Sequence, residues 1–132
     1  NKKMNKILYI ILISLFSLTV ISCSSDDSKT TTSSVSFVAV GTSGTLLTSS
    51  DGTSWTSRTS GTSNGLQRVI YANSTFVTVG DSGTILTSSD GISWTSRTSG
   101  TTNTLYGITY GNSTFVTVGN SGTILTSGDG TT

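Results

Sequence analysis

Hydrophobic and polar positions divide the chain into three stretches of different character. From 7 to 21 the residues are apolar apart from Ser14, Ser17 and Thr19, behind a basic start at Lys2, Lys3 and Lys6. A helix of that length reaches about 22 Å, short of the roughly 30 Å of a bilayer core. The pattern therefore predicts a secretory signal helix over 1–22. From 24 to 34 there is no apolar residue at all. Such a segment cannot bury enough surface to offset its ordering entropy, so 23–35 is expected to be a disordered Ser/Thr/Asp tether. Beyond it, apolar residues come in runs of four to six, separated by Gly, Asn, Asp and Ser, with no helical period after residue 22. That is the pattern of short hairpin-linked strands.

The strand pattern repeats. Phe37, Phe76 and Phe115 are 39 apart, as are Gly41, Gly80 and Gly119, and Trp55 and Trp94. Residues 37–75 match 76–114 at 28 of 39 positions without a gap, and 115–132 match 76–93 at 14 of 18. Within one period the expected strands are 105–110, 115–118 and 123–126, with a fourth at 94–98 in the copy before. Four short antiparallel strands in about 40 residues is the size of one β-propeller blade. The predicted fold is all-β, a partial β-propeller over 36–132 amounting to about two and a half blades. A β-trefoil, also built from three units of four strands, is the alternative. Position 132 falls one residue before the next expected Trp, so the sequence is expected to be the N-terminal part of a longer protein. The three residues before Met4 read as upstream of the natural start.

Composition narrows the chemistry. Of 132 residues, 26 are Ser and 27 Thr, while Pro, His and Glu are absent and Cys occurs once. Neither an internal disulfide nor a Cys/His zinc site can form, and most routes to general acid–base catalysis are closed. A net charge of +1 gives no reason to expect a nucleic-acid partner. No catalytic residue, metal site or cofactor is expected, and the chain is not read as an enzyme.

The signal run ends in Val20-Ile21-Ser22-Cys23, which resembles a bacterial lipobox, and the Ser24-Ser25-Asp26-Asp27 that follows resembles the surface-export signal of Bacteroidota lipoproteins. These resemblances imply lipidation of Cys23, a membrane partner through that lipid, and a surface-exposed outer-membrane location. Ser49-Ser50-Asp51-Gly52-Thr53-Ser54-Trp55 and Ser88-Ser89-Asp90-Gly91-Ile92-Ser93-Trp94 are similar to a one-residue-shorter Asp-box of bacterial neuraminidase repeats. The Phe-Val-x-Val-Gly-x-Ser-Gly run before each is similar to propellers of the photosystem II assembly-factor type. The resemblance implies a structural role for the Asp-box. Physically, Asp51, Asp90 and Asp129 should accept hydrogen bonds from their own turns. Gly52, Gly91 and Gly130 should supply positive φ, and Trp55 and Trp94 should pack beneath the hairpins.

Binding residues are harder to single out. Arg58 and Arg97 occupy one repeat position, so they are copies and not part of a convergent arginine triad. Exposed strand or loop arginines, or ligand contacts, are both open readings. Tyr71, Tyr110 and Tyr106 offer flat surfaces with polar tips for a ligand, or else pack within and between blades. Asn73-Ser74-Thr75 and Asn112-Ser113-Thr114 match a glycosylation sequon but recur between strands, as turn residues do. The expected function is a surface lipoprotein whose propeller binds or scaffolds a protein or glycan. The alternative is the N-terminal part of a sialidase-like glycoside hydrolase whose catalytic residues lie beyond residue 132.

Overall fold

The structure, a computed structural model, describes residues 34–132. The signal helix expected over 1–22, the Cys23 expected to be lipidated, and all of the expected tether except Ser34 and Val35 lie outside the described residues. Among the described residues ten strands make three antiparallel sheets, and none of these closes on itself. The first sheet holds β1 (Phe37–Val40), β2 (Leu46–Ser49) and β3 (Thr56–Ser57). The second holds β4 (Leu66–Ala72), β5 (Thr75–Gly80), β6 (Ile85–Ser88) and β7 (Thr95–Arg97). The third holds β8 (Leu105–Gly111), β9 (Thr114–Gly119) and β10 (Ile124–Ser127). Each sheet is a meander in chain order. There is no α-helix among the described residues, only single 3₁₀ turns such as Asp81–Gly83.

Turn chemistry sets the registers. Between β4 and β5, Asn73 and Ser74 both take positive φ, 48° and 57°, and Asn112 and Ser113 do the same between β8 and β9. Two central residues with φ above zero make the type I′ turn whose twist suits a two-residue hairpin. The pair Ala72↔Thr75 closes the first of these hairpins. The sequon-like triplets are therefore hairpin turns. The loops between β5 and β6 and their equivalents place Ser82 at φ 54° and Gly83 at φ 70°. A Cβ on Gly83 would run into the carbonyl of Thr101, so glycine is required there for space as well as conformation.

Two irregularities were not foreseen from the sequence. The register of β4 on β5 shifts between Leu66 and Arg68, and that of β8 on β9 between Leu105 and Gly107. Each shift is a bulge, which leaves an extra residue without a ladder partner. Thr78 Oγ1 donates to Arg68 O at 2.9 Å and Thr117 Oγ1 to Gly107 O at 2.7 Å, supplying donors beside the bulges. Both threonines are buried, so their hydroxyls need these partners inside the sheet.

Side-chain alternation gives each sheet two faces, and the sheets pack face to face in order. Leu46 with Val38 and Val40 from the first sheet meets Leu66, Leu86 and Trp94 of the second. The opposite face of the second sheet, carrying Val77, Val79 and Ile85, meets Leu105, Phe115 and Leu125 of the third, with Ile108 beside them. The hydrophobic core is thus two repeated interfaces and not one centre. At the outer faces apolar residues remain in solvent. Phe37 is exposed on the first sheet, and Val118 and Ile124 on the third.

Candidate functional site

The most strongly specified local feature is the Asp turn, built three times. In the second copy Asp90 Oδ1 accepts from the backbone N–H of Ile92 (2.8 Å) and Ser93 (2.9 Å) and from Ser88 Oγ (2.9 Å). Ser88 Oγ in turn accepts from Gly91 N–H at 2.8 Å, and Gly91 sits at φ 74°. Asp51 repeats the pattern with Thr53, Ser54 and Ser49. Asp129 repeats it with Thr131, Thr132 and Ser127. The Ser–x–Asp–Gly spacing is what lets one hydroxyl and one carboxylate satisfy the turn's donors.

Those donors favour the ionised carboxylate and hold all three acids below the usual carboxylate range, Asp51 and Asp129 well below it. For Asp51 the backbone N–H of Ser54 contributes most, then that of Thr53 and the Ser49 hydroxyl. For Asp90 the order is Ser93 N–H, Ile92 N–H and the Ser88 hydroxyl. For Asp129 the Thr131 hydroxyl leads, followed by the N–H groups of Thr131 and Thr132. An acid held ionised by its own turn is unsuited to proton transfer near neutral pH. Among the described residues no cluster of acidic or thiol side chains could hold a metal ion.

The two tryptophans part company. Trp94 is half-buried between the first and second sheets, 6.3 Å from the Phe76 ring, and its Nε1 donates to Gly91 O at 3.0 Å. Trp55 follows an equivalent turn yet remains 43% exposed. The sequence leads one to expect both rings buried beneath their hairpins; Trp94 is half-buried there and Trp55 is exposed, no sheet covering that face of the first sheet among the described residues.

The arginines are repeated struts. Arg58 Nε donates to Thr48 Oγ1 at 2.8 Å and Arg97 Nε to Thr87 Oγ1 at 2.9 Å. They lie on different sheets and do not converge. Tyr71 and Tyr110 pack tilted on their cross-strand phenylalanines, with centroids 4.4 Å from Phe76 and 4.6 Å from Phe115. Tyr71 keeps an exposed flank and Tyr110 a smaller one, while Tyr106, at the second bulge, is exposed.

Two concavities are candidates for binding. One is a broad polar groove of about 810 Å³ lined by Thr62, Asn64, Ser82, Arg97, Thr102 and Asn103 among others. The other is an apolar cavity of about 360 Å³ between the second and third sheets. Arg97 borders both. Sequence reasoning picked out Arg97 but not the grooves, since both are made by residues distant along the chain. No family model, curated protein or solved structure matches this chain.

Proposed function

We propose that the three sheets are blades of a β-propeller of the Asp-box type, carried by a surface-exposed outer-membrane lipoprotein, and that the propeller is a binding or scaffold module. The carrying observation is the face-to-face stacking of three meanders at the 39-residue period, each with its Asp turn in the same place. Separate sheets stacked in chain order favour blades over a β-trefoil, in which strands pair into a common barrel. The lipid anchor rests on Val20-Ile21-Ser22-Cys23.

The polar groove suits a hydroxyl-rich ligand, a glycan or a polar peptide loop. Its walls are hydroxyls and amides, and the Arg97 guanidinium, steadied through Nε, brings further donors to its edge. Binding to panels of glycans and envelope proteins tests the reading, with Thr102→Trp as the obstructing variant. Thr102 is exposed and lines the groove, so the substitution fills it from outside the core. Binding abolished by Thr102→Trp with an unchanged melting temperature is the expected result. Binding that survives the obstruction places the ligand elsewhere. Anchoring is checked separately by incorporation of labelled palmitate, which Cys23→Ser should abolish.

A further inference from the structure

The loop from β3 to β4 and the loop from β7 to β8 are one repeat period apart, and each is closed by an asparagine. Asn64 Nδ2 donates to Thr84 Oγ1 at 2.9 Å, and that hydroxyl donates to Asp81 O at 2.6 Å. Asn103, Thr123 and Asn120 repeat the arrangement at 2.9 and 2.7 Å. Each asparagine also spends its own N–H within the loop, Asn64 on Thr62 Oγ1 at 3.0 Å and Asn103 on Thr101 Oγ1 at 3.1 Å. The two clamps are built alike. They differ in the residue that follows, which is Gly65 after Asn64 and Thr104 after Asn103.

That difference bears on the chemistry of the amide. An asparagine side chain is lost when the backbone nitrogen of the next residue attacks its Cγ, and a Cβ on that residue shields the nitrogen. Glycine has no Cβ. Asn64-Gly65 is the one Asn-Gly pair in the chain, whereas Asn73, Asn103, Asn112 and Asn120 each precede Ser or Thr. Among the described residues neither the Gly65 N–H nor Asn64 Oδ1 has a hydrogen-bond partner, so nucleophile and carbonyl are both free. The fold also keeps position 65 bare, since a Cβ there would fall on Asp81 Oδ2.

We propose that Asn64 is a spontaneous deamidation site and that its conversion opens the seam between the first and second sheets. The Gly65 nitrogen bonds to Asn64 Cγ as its proton passes to solvent base, and the side-chain nitrogen takes a proton and leaves as ammonia. Water then adds to either carbonyl of the resulting succinimide and breaks one C–N bond, giving aspartate or isoaspartate. One water is consumed, one ammonia is released, and nothing is oxidised or reduced. The product carboxylate has no proton to offer Thr84 Oγ1, whose own proton is committed to Asp81 O. Isoaspartate also lengthens the main chain just before Gly65 and Leu66. Gly65 O accepts from Asp81 N–H at 2.9 Å, and Leu66 N–H donates to Gly41 O, at the end of β1, also at 2.9 Å. Those bonds are the seam. Asn64 lines the polar groove as well, so conversion puts a negative charge in its wall whatever the groove binds.

The test needs no substitution, because Asn103 is the internal control. The full chain in mild detergent is held in mildly alkaline buffer, both native and in urea, and digested at intervals for mass spectrometry. In the native protein Asn64 should progressively exchange ammonia for water, faster as the pH rises, while Asn103 stays intact. Isoaspartate methyltransferase should label the same fragment. Amide exchange should then rise over 64–66 and 81–84 and stay unchanged over 103–105 and 120–123. Asn64→Asp, made separately, should show the rise over 81–84 without incubation. Equal rates at Asn64 and Asn103, conversion confined to urea, or a converted chain with unchanged exchange over 81–84 overturns the proposal.

Discussion

Trp55 and Trp94 stand at the same place in two copies of one turn, and their surroundings differ. The carboxylate, the serine hydroxyl, the left-handed glycine and the N–H donors are laid out alike around Asp51 and Asp90. Yet Trp94 lies half-buried between sheets with its Nε1 bonded to Gly91 O, while Trp55 is open to solvent. The turn is a property of about seven consecutive residues. The burial of the ring is a property of the neighbouring sheet. In a stacked array these two levels separate, because each unit makes its own hydrogen bonds but borrows half of its apolar contacts from the next.

The largest expected effect lies on that second level. Trp94→Ala should destabilise by about 2–3 kcal/mol, somewhat under the range for a fully buried aromatic because Trp94 is only half-buried. Trp55→Ala should fall within about 0.5 kcal/mol, as exposed substitutions do. Urea denaturation of both variants measures the contrast directly. Equal losses at the two sites would mean that Trp55 also has a covering partner.

Thr78 and Thr117 sharpen the contrast from the other side, since both serve bulges of their own sheets. Thr78→Val removes the donor to the Arg68 carbonyl and should cost about 1 kcal/mol, the ordinary worth of one hydrogen bond. Thr117→Val should cost a similar amount, although Thr117 sits in a three-stranded sheet and Thr78 in the four-stranded one. A large difference in the two midpoints would show that the bulges depend on the neighbouring sheet.

The same division explains what could be read from the sequence. The 39-residue period, the strand runs and the Ser–x–Asp–Gly turns are written in consecutive residues, and each appears where the pattern puts it. Strand β7 covers Thr95–Arg97 within the expected 94–98, and β9 covers Thr114–Gly119 around the expected 115–118. The bulges at Gln67 and Tyr106 were hidden, because Leu66 and Leu105 begin their strands as any apolar residue would. The exposure of Trp55 was hidden for a different reason: identical local sequence carries no information about which face receives a sheet. Both concavities belong to this non-local class. Of the binding candidates, Arg97 was legible as a repeated strand arginine, but its place at the border of two grooves was not.

The Asp turns should also give the protein its acid limb. Their carboxylates have folded-state pKa values below the unfolded value, so their stabilisation is complete above the unfolded pKa of about 4. It is lost progressively as the pH falls below that value through the folded pKa. With no His or Glu in the chain, little else titrates between pH 4 and 8. The melting temperature should therefore be nearly flat from about pH 8 to pH 5 and decline below pH 4. Asp51→Asn and Asp90→Asn should each flatten the decline by a similar amount, since both turns are local. A much larger change at Asp90 would tie the turn to the covered ring of Trp94.

The smallest expected effect comes from the hairpin turns, and it is a gain. Ser74 and Ser113 both hold left-handed φ, 57° and 58°, in type I′ turns whose second central position favours glycine. An L-residue there carries a steric cost of about 1–2 kcal/mol that glycine avoids. Glycine offsets part of that gain by its greater freedom in the unfolded chain, by about 0.5–1 kcal/mol. The net expectation for Ser74→Gly or Ser113→Gly is a stabilisation of about 0.5 kcal/mol. Both serines are exposed, so no packing is disturbed. The two hairpins differ in their neighbours, one belonging to the central sheet and the other to the third. If turns belong to the local level, the two substitutions should raise the urea midpoint equally and add in the double variant, as independent sites do. Unequal or non-additive gains would show that the stacking of sheets reaches into the turns, and would erase the separation that Trp55 and Trp94 display.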